Sequence, residues 1–407
     1  MRLLRFRLPC LFLSGLTLAA AAEPGLLRGH VTGEFGVGDL IPSVPWVADV
    51  QQTSTGASRL AVTAKVWGRG VKATLELDAN GEGKWALEPA GWSAEELWQQ
   101  VIQSIRPEWI TLQPAGTIAL SGGGAWTNES PQGPLQLVWS EGRLKGAEPE
   151  IEVTGINGSF ELRGWLGEER SGQGKLAFGR AIVAGVELEE GSVALRWRKD
   201  GVMVLGPGRV NALDGVLAIA PVQWPAGEGG LTVIVQAESV SLARLAALAP
   251  QAVRAATGTV SGQVVLRWGP NGVEPIDGHL VIDAKQPVDL TLAPQPGFLT
   301  RQVPRHYEFL PSWMGPVARR LSPVNPAYEM LEGVELGRVP LRVQRLEVDF
   351  YPPNDEMDRT VRILVEGRPS DGKVVDQVVI QLNLAGPLAD IIRLGLDQRS
   401  QISGRLQ

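Results

Sequence analysis

Cysteine is almost missing from this chain: among 407 residues there is one, Cys10, and it lies inside an apolar run at the N-terminus. Beyond that run there can be no disulfide, no thiolate metal site and no cysteine nucleophile, so stability must come from burial and backbone hydrogen bonds. Histidine is nearly as scarce. His30, His279 and His306 are scattered, without the HxH or HExxH spacing that sets two rings on one metal. Walker A, GxSxG and helix-opening GxGxxG sequences are also lacking. The glycines of "SGGGAW" at 121–126 have no Lys and no helix after them, and read as a turn or bulge. "PPNDEMD" at 352–358 lacks the Gly and bidentate Glu of a calcium loop and reads as a solvated hairpin tip. These residues predict no catalytic group, no metal site and no cofactor.

Positive charge is in deficit as well. The formal net charge is −6, and −9 once the three leader arginines Arg2, Arg5 and Arg7 are set aside, which argues against nucleic acid as a partner. Only one long apolar run exists, the 15 residues from Leu8 to Ala22. It is shorter than the roughly 20 residues of a spanning helix, follows those arginines and ends in Ala20-Ala21-Ala22. Residues 1–22 therefore read as a secretory signal peptide, with an uncleaved membrane anchor as the alternative.

What the chain has in quantity is alternation. Ala73, Leu75 and Leu77 alternate with Thr74, Glu76 and Asp78, and Leu231, Val233, Val235 and Ala237 alternate with polar Thr232, Gln236 and Glu238. Leu346, Val348 and Phe350, and then Val378, Ile380, Leu382 and Leu384, repeat the pattern near the C-terminus. Period-two patterning of this kind makes strands with one wet and one dry face. Hairpin signals punctuate them, "DANG" at 78–81, "KDG" at 199–201, "PNG" at 270–272 and "SDG" at 370–372, so neighbouring strands should run antiparallel. "LRWRKDGV" at 195–202 and "LRWGPNGV" at 266–273 are two copies of one strand-and-turn, and "LVWSEGRL" at 137–144 is a looser third.

Helices should be few and short. "SAEELWQQVIQSI" predicts one over 93–106, opened by a capping box of Ser93 and Glu96. Leu242, Leu245 and Leu248 suggest a second, ending at Pro250, and 311–321 a weak third. Pro387 can open a closing helix over 388–400. The fold class is thus mainly β, a long antiparallel sheet with a few short helices. A seam near 107–115 separates an N-terminal β-rich region, 23–110, from a larger domain, 111–407, whose Pro-rich stretch 294–326 is an irregular crossing. Thirteen Trp against three Tyr is the remaining signal, and Trp197 and Trp268 fall on the apolar parity of their strands, where core packing and contact with a ligand both remain open.

"VSLARLAALAPQAVRAATGTVSGQVVLRW" and the closing "VRILVEGRPSDGKVVDQVVIQLNLAGPLADIIRLGLDQ" resemble the AsmA-like envelope proteins, more narrowly the YdbH branch, whose C-terminal region carries an older dicarboxylate-transport label. The resemblance covers roughly residues 111–400. It implies a long sheet curled into a trough, in the periplasm, whose apolar lining lets phospholipid acyl chains slide while headgroups stay wet, and it implies no catalytic residue. The lining positions it implies are Val193, Leu195 and Trp197; Val260, Val264, Leu266 and Trp268; and Val378, Ile380, Leu382 and Leu384. The implied ligand is a phospholipid or other acyl chain, and the implied partners are proteins of the inner or outer membrane. The alternatives from the residues themselves are a structural envelope protein with a filled core and, third, a carbohydrate-binding or polysaccharide-acting protein.

Overall fold

The computed structural model describes residues 21–23, 26–37, 41–53, 57–66, 68–99, 112–127, 130–146, 151–164, 171–183, 186–200, 202–224, 231–248, 250, 252–269, 272–283, 287–307, 323–352, 360–370 and 374–384. The chain divides into two compact units, Met1–Gly206 with Gln223–Pro225, and Pro207–Val222 with Ala226–Gln407.

The first unit is a long meander. Its strands are β1 (Ala21–Glu23), β2 (Leu26–Val37), β3 (Ile41–Thr53), β4 (Ser58–Val66), β5 (Arg69–Leu77) and β6 (Gly83–Ser93). After them come β7 (Gln113–Thr127), β8 (Ser130–Pro131), β9 (Leu135–Gly146), β10 (Ile151–Arg163), β11 (Ser171–Val183) and β12 (Val186–Trp197). Each pairs antiparallel with the next, except that the short β8 folds back on β7 and β9 takes its place beside β7. Turn chemistry fixes the expected "DANG" hairpin, whereas Gly201 of "KDG", Pro270 and Asn271 of "PNG" and Asp371 and Gly372 of "SDG" lie outside the described residues. At "DANG" the Asp78 carboxylate accepts the backbone N–H groups of Asn80 (2.8 Å) and Glu82 (3.0 Å), and Gly81 takes φ +81°, which a side chain would resist.

In the second unit the strands are β13 (Met203–Ala212, from Pro207 on), β14 (Gly215–Ile219), β15 (Val222–Trp224, Val222 alone), β16 (Leu231–Ser241), β17 (Val253–Ala256), β18 (Thr259–Gly269) and β19 (Gly272–Ile282). They continue with β20 (Val288–Leu292), β21 (Leu341–Phe350), β22 (Val361–Pro369) and β23 (Val378–Leu384). The ladder runs β13–β14–β16–β18–β19–β21–β22–β23, all antiparallel. β19 and β20 share one edge of β21, β19 beside residues 347–350 and β20 beside 341–343, and β17 flanks β20.

Three short helices are present among the described residues: α1 (Ala94–Leu97), α2 (Leu242–Leu248) and α3 (Pro326–Glu335). α2 matches the expected leucine spacing, with the Ser241 hydroxyl accepting the Arg244 N–H at 3.4 Å. Ser93 holds the N-cap position of α1 with the extended backbone usual there and pairs opposite Thr117 as the last residue of β6, but its side chain makes no cap hydrogen bond. α3 was not anticipated, although Asn325 followed by Pro326 is a start signal, and the Asn325 side chain accepts the Ala327 N–H at 3.0 Å. The expected helices at 311–321 and 388–400, the tip at 353–358 and residues 1–20 of the leader lie outside the described residues, as do 100–106 of the first helix.

Two expected turns are strands. "SGGGAW" lies within β7, where Gly122, Gly123 and Gly124 pair with Leu87, Ala86 and Trp85; a Cβ on Gly122 would meet the side chains of Leu135 and Trp85, and one on Gly123 or Gly124 would meet the backbone of Trp85 or Gln132. "LVWSEGRL" lies within β9, and its Glu141-Gly142 makes a bulge, with Glu141 at φ +51°, instead of a hairpin.

Candidate functional site

Residues paired across an antiparallel ladder share a face, so the register of the first unit defines its dry side. Starting in β3, Val50 stands opposite Leu60, Leu60 opposite Leu75, and Leu75 opposite Trp85. The line continues through Gly124 and Gly122 of β7 to Leu135 of β9 and Leu162 of β10. It ends on Gly172 and Trp197, with Gly174–Leu195 and Leu176–Val193 as the adjoining rows. One apolar face is therefore continuous from β3 to β12. The opposite face carries the ion pairs Arg59–Glu76, Lys145–Glu152 and Arg180–Glu187, all well exposed.

Nothing described covers most of this face. Among the first unit's described hydrophobic residues larger than alanine, only Trp92 and Ile156 are buried. Leu60, Val62, Leu75, Leu87, Phe160, Leu176, Val193 and Leu195 are half-buried, and Leu137 and Trp197 are 42% and 37% exposed. α1, the described helix of this unit, packs mainly on β7 and β6. A soluble sheet ordinarily sets a second layer on its dry face.

Two devices make the face smooth and dry. Large rings lie across glycines: a Cβ on Gly122 would sit 2.9 Å from the Trp85 ring of the neighbouring strand, on Gly174 2.8 Å from the Phe160 ring of the neighbouring strand, and on Gly142 2.8 Å from the Trp139 ring of its own strand. Phe178 lies against Gly191 in the same manner. The rings are thus flattened onto the sheet instead of standing off it. The polar edges of three Trp are also turned to backbone: Trp85 Nε1–H donates to the Gln132 carbonyl (2.9 Å), Trp92 to Val66 (3.1 Å) and Trp139 to Ala115 at the β7 bulge (3.2 Å). The "GGG" and "W…G" patterns were visible in the sequence, but only the register shows that ring and glycine meet.

The second unit is closed at one end of its strands. Ala237, Val240, Val260, Leu346, Val365, Val378 and Ile380 form a buried cluster with Leu290, Leu341 and Val343, and Leu242 of α2 and Leu331 and Val334 of α3 belong to it. Glu335, 2% exposed, fixes the chain that lies over it. Its carboxylate accepts the N–H groups of Gly297 (3.0 Å), Leu299 (2.8 Å) and Thr300 (3.1 Å) and the Thr300 hydroxyl (2.8 Å). Burial pushes this carboxyl up, but the four hydrogen bonds outweigh it and hold the group below the usual carboxylate range. Toward the other strand ends Leu231, Val233, Val264, Leu266 and Leu382 are only half-buried.

The lining positions implied by resemblance therefore separate. Val193, Leu195 and Trp197 lie together on the open face of the first unit. Val264, Leu266 and Leu382 lie on the less covered part of the second, whereas Val260, Val378 and Ile380 are 1%, 1% and 3% exposed and packed against protein. Trp268 and Leu384 pair opposite Leu231 and Val361, and their side chains lie outside the described part. His279 is exposed and sits 2.7 Å from Asp349, which also accepts from Arg362 Nε at 3.0 Å. Burial raises the Asp349 carboxyl, and these two partners more than reverse it. Among the described residues no group of three His, Cys, Asp or Glu is placed to hold a metal ion, and no helix is long and apolar enough to cross a membrane.

A family model described as YdbH-like, intermembrane phospholipid transport protein YdbH, matches residues 13–296. Searches of the curated proteins and of the solved structures return no match.

Proposed function

The chain belongs to the YdbH-like family, a family of intermembrane phospholipid transport proteins and not of enzymes, and on that premise we propose that it binds phospholipid acyl chains along the open apolar face of its first unit and passes them on without chemical change. The observation that carries this reading is the continuous, half-buried apolar surface from β3 to β12 with so little of it packed by protein. Each methylene moved from water into full apolar contact is worth ~0.8 kcal/mol, and a chain lying on one side of a sheet gains part of that. Flattened rings suit such a ligand, since a standing ring would interrupt a sliding chain. Val193, Leu195 and Trp197 are the lining residues we place first, with Val264 and Leu266 next. The leader at 1–22 points to the periplasm, and the donors and acceptors of lipid are envelope proteins of the inner or outer membrane.

The filled-core reading is favoured at one place, the buried cluster of the second unit, so Val260, Val378 and Ile380 belong to folding and not to lipid binding. The test is organic extraction of the purified full chain followed by phospholipid analysis. Leu195→Asp, which puts a charge on the face at a half-buried position, should lower bound phospholipid by roughly tenfold while the protein stays folded. Unchanged lipid in folded variant protein overturns the reading.

A further inference from the structure

At one end of the first unit's ladder lies β2, a strand of 12 residues. One of its edges pairs with β3 over the whole length, from Leu26 opposite Thr53 to Val37 opposite Ile41. Against the other edge, among the described residues, lies only β1, opposite Leu26, Leu27 and Arg28. The backbone groups that β2 turns outward beyond Arg28 thus meet no described strand. Exposed edges are usually blunted by Lys, by Pro or by brevity, yet β2 is long and contains neither residue.

The sequence of this edge is chemically symmetric about Val31: Gly29 is balanced by Gly33, Leu27 by Phe35, and the cation Arg28 by the anion Glu34. An antiparallel copy of the strand centred on the same residue sets Val31 opposite Val31, Gly29 opposite Gly33, Leu27 opposite Phe35 and Arg28 opposite Glu34. Opposite residues share a face, so like meets like on the dry side and opposite charges meet on the wet side. That wet side is the one on which His30 and Thr32 are exposed and His30 meets Asp49 at 2.9 Å. Sliding the copy by two residues keeps the faces but sets Arg28 opposite Thr32 or Gly36, and both Arg–Glu pairs are lost.

We infer that this edge is an interface between two copies of the chain, joined β2 to β2 about a two-fold axis perpendicular to the sheet at Val31. The contact is isologous, so Arg28 stands opposite Glu34 twice. A perpendicular axis keeps both dry faces on one side, and the apolar face that begins at β3 continues into the second copy. β1 has to leave the edge, since it covers Leu27 and Arg28; its three paired residues are a marginal strand against the longer run 27–35. Ala21 and Ala22 of β1 also belong to the leader reading, and loss of the leader would take them away.

The experiment follows the mass of the full chain by light scattering through a dilution series, and traps the pairing with single cysteines in a Cys10→Ser chain, which has no other thiol. Wild type should form dimers and nothing larger. Arg28→Glu and Glu34→Arg should each weaken the dimer about tenfold by setting like charges opposite, and the two together should restore it. Val31→Cys should give an intermolecular disulfide on oxidation, because directly opposite Cα atoms stand about 4.5–5.5 Å apart, within disulfide reach. Phe35→Cys should not, since Phe35 stands opposite Leu27. Monomers at every concentration, in the chain with its leader and in the chain exported without it, overturn the interface. Weakening in the single variants without rescue in the double variant, or equal disulfide yield at 31 and 35, overturns this pairing, and growth beyond two copies overturns the two-fold axis. None of these readouts needs bound lipid, so the groove reading can fail while the interface stands.

Discussion

Replacing Glu335 by Gln tests how the second unit closes its core. The carboxylate satisfies three backbone N–H groups and one hydroxyl from residues 297–300. An amide nitrogen in the place of Oε2 would face the N–H groups of Leu299 and Thr300, two donors with no acceptor. In the place of Oε1 it faces Gly297 N–H and the Thr300 hydroxyl, which can turn to accept, so only one contact is lost outright. That is the cheaper arrangement, and with the charge gone from the remaining two bonds the cost is about 2–3 kcal/mol. Glu335→Ala, which abandons all three backbone donors, should cost about 4 kcal/mol or more. Hydrogen exchange at Gly297, Leu299 and Thr300 reads the opening of this segment directly. The pH sign follows from the depressed carboxyl: its contribution is full above the unfolded value, about 4.3, and is lost as pH falls through the lower folded value. The gap between wild type and Glu335→Gln should therefore be present at neutral pH and shrink in acid below the ordinary carboxylate range. Equal protection of the three amides in both proteins at neutral pH, or a gap indifferent to acid, would refute the reasoning.

Three further outcomes are expected. Gly191→Ala forces the Phe178 ring off the sheet, which should cost about 1–2 kcal/mol in unfolding and reduce bound phospholipid, with Phe178→Leu in the same chain restoring both. Trp139→Phe keeps the apolar ring but orphans the Ala115 carbonyl, so a urea midpoint should report a loss of about 1 kcal/mol with lipid content unchanged. Arg362→Gln removes one of the two partners that hold the Asp349 carboxyl down; an NMR titration of that carboxyl should move up, and the variant's stability deficit should fade as pH drops below the folded Asp349 value.

The strands were legible because a wet and a dry face impose period two, and Leu231/Val233/Val235 and Ile380/Leu382 sit in strands as that period requires. Hairpins were legible where a side chain makes the turn itself, as Asp78 does. Cover was not legible. Val260 and Val264 lie on the same strand and the same face, yet one is buried and the other half-buried, because Val260 joins a cluster completed by α3, which comes from a distant part of the chain. A glycine's meaning was equally hidden: in "SGGGAW" it records the Trp85 ring on the adjacent strand, and local sequence holds no trace of that neighbour. A bulge such as Val343/Arg345 shifts the period by one residue, so Leu341 and Leu346 share a face that alternation alone would deny them.

The central claim is that the apolar face of the first unit meets acyl chains in the cell. A photo-activated residue placed singly at Leu176 or Leu195 on that face, or at Thr63 or Lys65 on the opposite one, would report contact by mass spectrometry after irradiation of living cells. Phospholipid adducts at Leu176 and Leu195, and none at Thr63 or Lys65, are predicted. Adducts distributed equally over both faces, or absent from Leu176 and Leu195 in folded protein, would contradict the account.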